Sequence, residues 1–315
     1  MKNLKIGTRD SKLALVQTRW VRDILLLQYP DLAIEIIEIK TQGDKILDTA
    51  LSKIGDKALF TKELENELLA GTIDLAVHSM KDLPTQLPEG LEICVTSSRE
   101  DIRDVVCFSG YSGVSSLKQA KTIGTSSLRR IAQLQNKYPQ INFVDIRGNL
   151  QTRFKKLNNP ANGYDGIVLA AAGLNRLGMQ DSIGEYLNPL EILPAVGQGA
   201  LAIEIKSGRN DLREFLRKSL NSPVDEAIVK AERAFLRSLQ GGCQVPIGVH
   251  SSLRGFGENA IIELIGIVAS LDGSQIIRLE HSGSVAQPER LGQEFGELFL
   301  ATEAKEILAG LRTES

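Results

Sequence analysis

Residues able to do chemistry recur at one kind of place in this chain. Arginine, lysine and hydroxyl side chains follow apolar runs: Arg9 with Ser11; Ser79 with Lys81 and Asp82; Thr125 and Ser127 with Arg129 and Arg130; Arg147 with Arg153; and Arg176. Each group falls where a strand-like segment gives way to a helix-like one. In open α/β sheets, ligands bind beyond the carboxyl ends of the strands. Backbone donors at helix N-termini favour anions there, and the arginine fork suits carboxylate or phosphate. The chemistry implied is capture of a small polyanion in a cation-lined cleft. Any one of these residues also fits a solvated surface cation or an ordinary ion-pair partner; recurrence at equivalent junctions favours a site. GTSS before a helix lacks the GxxxxGK[ST] pattern of a phosphate loop.

Asp82, in HSMKDLP, is the acid among these cations. Beside Lys81 and several arginines it should stay ionised at neutral pH. It could steady a substrate cation or move a proton, and it could equally make a turn hydrogen bond. Cys243 follows a helix ending in Gly241 and Gly242. The negative end of a helix disfavours a thiolate, and His78, His250 and His281 are nowhere adjacent to it in sequence. Spacing alone therefore fits a buried structural cysteine better than an acyl-transfer nucleophile.

The elements that must position these residues follow from pattern. NLKIGT reads as a strand, after which Ser11 caps a helix to about Tyr29 with Leu15, Thr18, Val21 and Leu25 on one stripe. LAIEIIEIK reads as a strand and TQGD as a turn. Thr61 is placed to cap KELENELLA, with Glu63 and Glu65 in its first turn and Gly71 at its end. TIDLAVHS is a strand before a loop holding Pro84 and Pro88. KTIGTSS leads into LRRIAQLQNKY, INFVDI into RGNLQTRFKKL, and YDGIVLAAAG into LNRLG. Strands alternating with helices predict mostly parallel sheets. No internal sequence repeat is visible. In the last hundred residues, Ser222, Pro223 and Asp225 open a helix to Leu239, with Val224, Ala227, Ile228, Ala231 and Phe235 facing a core. QVPIGVH, AIIELIGIVAS and SQIIRLEH then read as strands, the last two joined at Asp272-Gly273, before a helical tail from Pro288. This region reads as a small α+β domain.

The 315 residues suffice for two or three domains. A formal net charge of −2 gives no basic field for nucleic acid. No apolar run approaches a membrane span, and MKNLKIGTRDSK has no signal-peptide core. Cys94, Cys107 and Cys243 form no CxxC pair, against a disulfide framework or zinc site. A reducing cytoplasm is the expected location.

At this point the motifs become specific in combination. IGTRDSKLALVQ, TQGDKILDT, FTKELE, DLAVHSMKDLPT, GTSSLRR, RGNLQTR, LAAAGLNRLG, LPAVGQGALAIE, AERAFLRSLQGGCQVPIG and DGSQIIR run almost end to end. HSMKDLP, GTSSLRR and GGCQVP in this order make the chain resemble the porphobilinogen deaminase (hydroxymethylbilane synthase) family.

That resemblance implies two α/β lobes like those of periplasmic-type binding proteins, plus a small C-terminal α+β domain. The implied bounds are 1–98 with 198–216, a strand after VGQGA completing the first lobe; 102–194; and 220–315. It implies a transferase of porphyrin, tetrapyrrole and heme biosynthesis that deaminates and joins four porphobilinogen molecules into hydroxymethylbilane. The primer would be a dipyrromethane cofactor on Cys243, held by a thioether. Asp82 would be catalytic. Ser79, Lys81, Asp82, Thr125, Ser127, Arg129, Arg130 and Arg147 would hold the cofactor. Arg9, Ser11, Lys57, Arg147, Arg153, Arg176 and Gln198 would hold substrate. No metal, nucleic acid or membrane partner is implied, and a monomer is expected. Leu47–Phe60, carrying Lys57, would be a lid; Asp56 and Ala58 stand where the family commonly has glycine, and Gln240 where it commonly has Glu. The rival readings are a two-lobed small-anion sensor of related fold and a cysteine hydrolase.

Overall fold

A computed structural model describes residues 2–45, 61–240 and 245–313. Its first strands are β1 (Asn3–Arg9), β2 (Ala33–Ile39), β3 (Leu75–Ser79), β4 (Leu91–Thr96), β5 (Asp104–Phe108), β6 (Thr122–Gly124) and β7 (Asn142–Val144). β8 (Gly166–Ala170), β9 (Glu185–Tyr186), β10 (Leu201–Lys206), β11 (Ile247–Arg254), β12 (Ile261–Ala269) and β13 (Ile276–Ser284) follow. The helices are α1 (Lys12–Gln28), α2 (Gln42–Lys45), α3 (Lys62–Ala70), α4 (Leu128–Lys137), α5 (Leu150–Leu157), α6 (Ala171–Arg176), α7 (Asn210–Leu220), α8 (Pro223–Ser238), α9 (Pro288–Leu300) and α10 (Ala304–Thr313). They group into two compact units, one of residues 2–45, 61–100 and 198–226, the other of 101–197 and 227–313.

The first unit is built on a sheet of order β2-β1-β3-β10-β4. β10 runs antiparallel to both neighbours, while β2, β1 and β3 are parallel. Leu75 and Val77, with Leu201, Ile203 and Ile205, pack against Val21 and Leu25 of α1 and Leu212, Leu216 and Leu220 of α7. Burying each such side chain contributes about 1.5–3 kcal/mol. Ala76, on the opposite face of β3, packs with Leu64 and Leu68 of α3. The Ser11 cap is present, its Oγ accepting from Ala14 N at 3.3 Å. Ala14 and Gln17 join Thr18, Val21 and Leu25 on the buried stripe; Leu15 is only half-buried, because the stripe's first turn is rotated by one residue. TQGD begins a single helical turn rather than a plain turn. Thr61 precedes α3 but makes no side-chain cap hydrogen bond, its backbone lying outside the extended region a cap requires.

The second unit contains two sheets. The first has order β7-β6-β8-β5-β9, with β5 antiparallel between β8 and β9. Leu134 of α4 packs on one face with Ile123 and Val168; Leu157 of α5 and Leu174 of α6 pack on the other with Val105, Ile167 and Leu169. The alternation predicted mostly parallel strands, and each five-stranded sheet has one antiparallel member. α6 begins at Ala171, earlier than LNRLG suggested, because Ala-Ala-Gly continues directly into helix. The third sheet is the meander β11-β12-β13, covered by Phe235 of α8, Phe295 and Phe299 of α9, and Leu308 of α10. Gly273 at φ +71 makes the expected hairpin turn. Val224, expected in this core, is 49% exposed, since the buried face of α8 starts only at Ile228. Gly241 and Gly242 lie outside the described residues; Gln240 before them has a left-handed φ of 51°.

α9 crosses α8 at glycine. A Cβ on Gly292 would stand 2.1 Å from Ala231 O and 2.7 Å from Ala234 Cβ. Backbone oxygen cannot move aside as a side-chain tip can, so α9 must retreat. Gly292→Ala should destabilise the protein by about 1–3 kcal/mol, the range for overpacking. Gly310→Ala, where a Cβ meets nothing within 4 Å, should be neutral or stabilising, since alanine favours helix by about 0.5–1 kcal/mol. Equal unfolding temperatures for the two variants would contradict this packing.

Candidate functional site

In the first unit, the junction residues meet around the carboxyl ends of β1 and β3. Arg9 ends β1, Ser11 caps α1 and Ser79 ends β3. A 3-10 turn, Met80–Asp82, follows directly. A cavity of about 60 Å³ is lined by Arg9, Ser11, Gln17, His78, Ser79 and Asp82, among others. Asp82 is exposed. The turn is tied to the segment leading into β10: Met80 N donates to Ala200 O at 3.0 Å, and Lys81 Nζ to Gln198 Oε1 at 3.2 Å. Gln17 Nε2 donates to Ser79 Oγ at 3.0 Å. Gln198 is fully buried, and Arg99 Nε donates to its carbonyl at 3.0 Å. Gly199 beside it has φ +93, and a Cβ there would meet Glu100 O at 2.4 Å. Only glycine allows that approach, which fixes where Gln198 stands.

In the second unit the cations gather around the N-terminus of α4. Ser127 occupies its cap position but makes no side-chain cap hydrogen bond. Thr125, buried, receives Ser127 N on its Oγ1 at 3.3 Å. Ser126 stitches the loops after β6 and β7: its Oγ donates to Ile146 O at 2.8 Å and accepts from Ile146 N at 3.2 Å. This brings Arg147 beside the Thr125–Ser127 loop. Arg147 is buried, and its Nη1 has no hydrogen-bond partner. Arg153 folds back, Nε donating to Gly148 O at 2.8 Å. Arg176 is the last residue of α6, so it stands at the far end of a short helix rather than at the strand junction.

Arg129 and Arg130 are anchored by a residue the sequence reading passed over. Asp104 opens β5 and is fully buried. Its Oδ2 lies 2.8 Å from Arg129 Nη1 and its Oδ1 2.7 Å from Arg130 Nη2. Arg129 Nη1 also donates to Leu193 O at 2.6 Å, and Arg130 Nη1 to Val168 O at 2.9 Å. Gln133, also passed over, donates to Leu193 O at 3.1 Å and accepts from Leu193 N at 2.7 Å. Burial alone would raise the Asp104 pKa; the Arg129 and Arg130 guanidinia outweigh it and hold the carboxyl well below its usual range. Burial lowers the pKa of Arg129, with Asp104 opposing, yet a guanidinium stays protonated. One carboxylate between two cations leaves a net positive charge. The usable signal in sequence was a charged residue heading the apolar run VVCF.

Cys94 and Cys107 are buried free thiols, each pushed up to about 12, chiefly by burial. Neither is a thiolate at neutral pH. Cys243 and Lys57 lie outside the described residues, as do Asp56 and Ala58. Among the described residues no group of three or more His, Cys, Asp or Glu could hold a metal, and no helix is long and apolar enough to cross a membrane.

Removing the Asp104 charge strands two buried cations. Asp104→Asn should cost about 3–5 kcal/mol, the range for breaking a buried pair. Because the folded pKa is depressed, the stabilisation is complete above the unfolded carboxylate value and lost only as pH falls through the lower folded one. Denaturant titrations of parent and variant should therefore differ by the same amount at pH 7 and pH 5. A difference below 1 kcal/mol at pH 7 would contradict the role given to Asp104.

Two family models match this chain. "Porphobilinogen deaminase, dipyromethane cofactor binding domain" covers residues 4–214, and "Porphobilinogen deaminase, C-terminal domain" covers 227–301. The chain is 52% identical over 313 residues to the porphobilinogen deaminase of Desulfitobacterium hafniense, covering 99% of each. It is 51% identical over 307 residues to that of Gloeobacter violaceus, covering 96% of this chain and 92% of the relative. Among solved structures, the periplasmic aliphatic sulphonate binding protein SsuA from Escherichia coli aligns at TM-score 0.41 and 12% identity, over 76% of this chain and 71% of that one. The full-length matches favour the transferase reading over that of a small-anion sensor. This chain belongs to the porphobilinogen deaminase family.

Proposed function

We propose that this chain deaminates porphobilinogen and joins four such units head to tail into hydroxymethylbilane, on a dipyrromethane primer held by a thioether to Cys243. The observation that carries this is the excess of buried guanidinium charge around α4. Arg129 and Arg130 share the single Asp104 carboxylate, and Arg147 keeps a buried Nη1 without a partner. Cations so placed suit a ligand bearing several carboxylates, as both primer and substrate do. The primer, when bound, supplies the pyrrole carbon that attacks each incoming unit. Ser79, Lys81, Asp82, Thr125, Ser127, Arg129, Arg130 and Arg147 are assigned to hold it. Arg9, Ser11, Arg147, Arg153, Arg176 and Gln198 are assigned to substrate, with Lys57. The inert Cys94 and Cys107 thiols support attachment at Cys243.

The position of Asp82 supports the catalytic role assigned to it. It is a carboxylate on a short turn at the cavity of Arg9, Ser11 and Ser79. Porphobilinogen loses ammonia with the electrons of its carbon–nitrogen bond, leaving an electron-poor ring. The Asp82 carboxylate steadies that positive charge and accepts or returns a proton as the rings join. Lys81, held toward Gln198, fixes the turn on one side, and the Gln17–Ser79 hydrogen bond fixes it on the other. The working form is a cytoplasmic monomer of three domains with the bounds 1–98 with 198–216, 102–194 and 220–315.

Intact mass should exceed the sequence mass by one dipyrromethane, located on Cys243 by peptide mapping. Cys243→Ser should yield only unmodified chain, and active protein of unmodified mass would refute the covalent primer. Asp82→Asn should keep the added mass but lose turnover by roughly 10²–10⁴-fold, the range for a lost acid–base group. Near-parental consumption of porphobilinogen by that variant would remove Asp82 from the chemistry.

A further inference from the structure

The roles assigned above leave one buried ionisable pair of the first unit unused. β3 and β10 are antiparallel neighbours, with Ala202 opposite His78 and Glu204 opposite Ala76. Leu75, Val77, Ile203 and Ile205 point into the core shared with α1 and α7, so Ala76, His78, Ala202 and Glu204 occupy the other face, toward α3. There His78 and Glu204 meet on a diagonal, Nε2 to Oε2 at 3.0 Å, with side-chain exposures of 4% and 0%. The contact is one of proximity, not an aligned hydrogen bond: His78 Nε2 and both Glu204 oxygens are buried without a hydrogen-bond partner. Glu65 of α3 is buried as well, and Arg9 and Asp82 line the cavity that His78 also lines.

A fully buried carboxylate is costly to keep, and a well-packed apolar pair is often at least as stabilising. Stability is thus a poor reason for Glu204. Its location gives a better one. His78 is a wall of the cavity and is followed at once by Ser79 and the turn bearing Lys81 and Asp82. Ala200, just before β10, already holds that turn through its carbonyl; Glu204, further along the strand, lies against His78, two residues before the turn.

We propose that Glu204 and His78 are a positioning pair for turnover: the carboxylate fixes the imidazole, and the imidazole fixes the wall from which the Asp82 turn projects. The proposal rests on reading this cavity as the place of turnover. Because the pair sets where Asp82 stands and does not grip substrate carboxylates, its loss moves kcat and leaves KM.

The test is steady-state kinetics of holoenzyme carrying Glu204→Gln, His78→Gln and both, with intact mass to establish primer content and Asp82→Asn in parallel. Each single variant should retain primer, lose at least about tenfold in kcat and change KM by less than about threefold. The double variant should be no worse than the poorer single one, as expected for residues acting as a unit. Parental kcat in primer-bearing single variants, multiplied losses in the double variant, or a loss carried by KM would overturn the pairing. If Glu204→Gln fails to fold, His78→Gln alone decides by the same split, and Glu204→Asp, which keeps the carboxyl group, should retain more kcat than His78→Gln. An active Asp82→Asn would show instead that the cavity itself is misread.

Discussion

A guanidinium does not give up its proton inside a protein, so an arginine withdrawn from water is costly unless carboxylates or other acceptors surround it. Asp104 supplies one such charge to Arg129 and Arg130 together, and the carbonyls of Leu193 and Val168 take further donors. That arrangement is rigid and still leaves positive charge uncompensated. Most of what the second unit offers a ligand follows from it. The two arginines cannot swing out to solvent, α4 is anchored at its N-terminus, and the loop after β7 presents Arg147 alongside through Ser126. Under the proposed function a polycarboxylate would complete such a site, whereas a neutral ligand would leave its charge unmet.

The two five-stranded sheets explain why the chemistry-bearing residues recur at equivalent places. Both follow one plan: three parallel strands, then an inserted antiparallel strand, then an edge strand. In the first sheet the inserted strand is β10, from late in the chain; in the second it is β5, which opens with Asp104. Loops at the carboxyl ends of the parallel strands carry Arg9 and the Ser79–Asp82 turn in one case, and Thr125–Arg130 and Arg147 in the other. In the first sheet the residues just before the inserted strand serve the site as well: Gln198 and Ala200 hold the Asp82 turn. In the second unit Leu193, in the segment after β9, is held by Arg129 and Gln133.

Much of this was legible in sequence, for reasons that differ by element. Ser11 before an amphipathic run marked α1, and Asp272-Gly273 marked the last hairpin, because caps and tight turns are local chemistry. The strand after VGQGA was expected from the family motif and is β10. The common plan of the two sheets was not legible, since strand order depends on contacts far apart in sequence and no residue repeat accompanies it. Leu15 and Val224 were misplaced because periodicity gives a face but not the turn at which burial begins. Asp104 was missed because its meaning comes from two arginines some twenty-five positions away that it meets only in the folded chain. Thr61 fits the composition of a cap and fails its backbone angle.

If a polycarboxylate primer completes the buried arginine charge of this chain, its presence must change how the fold responds to heat and to other anions. The most direct measurement is the unfolding temperature of primer-bearing protein beside primer-free protein of the same sequence, each with and without a small polyanion such as citrate. The primer-bearing form should unfold at higher temperature, and citrate should raise only the primer-free form appreciably, because only there is the charge unmet. Equal unfolding temperatures, or an equal response of both forms to citrate, would contradict it.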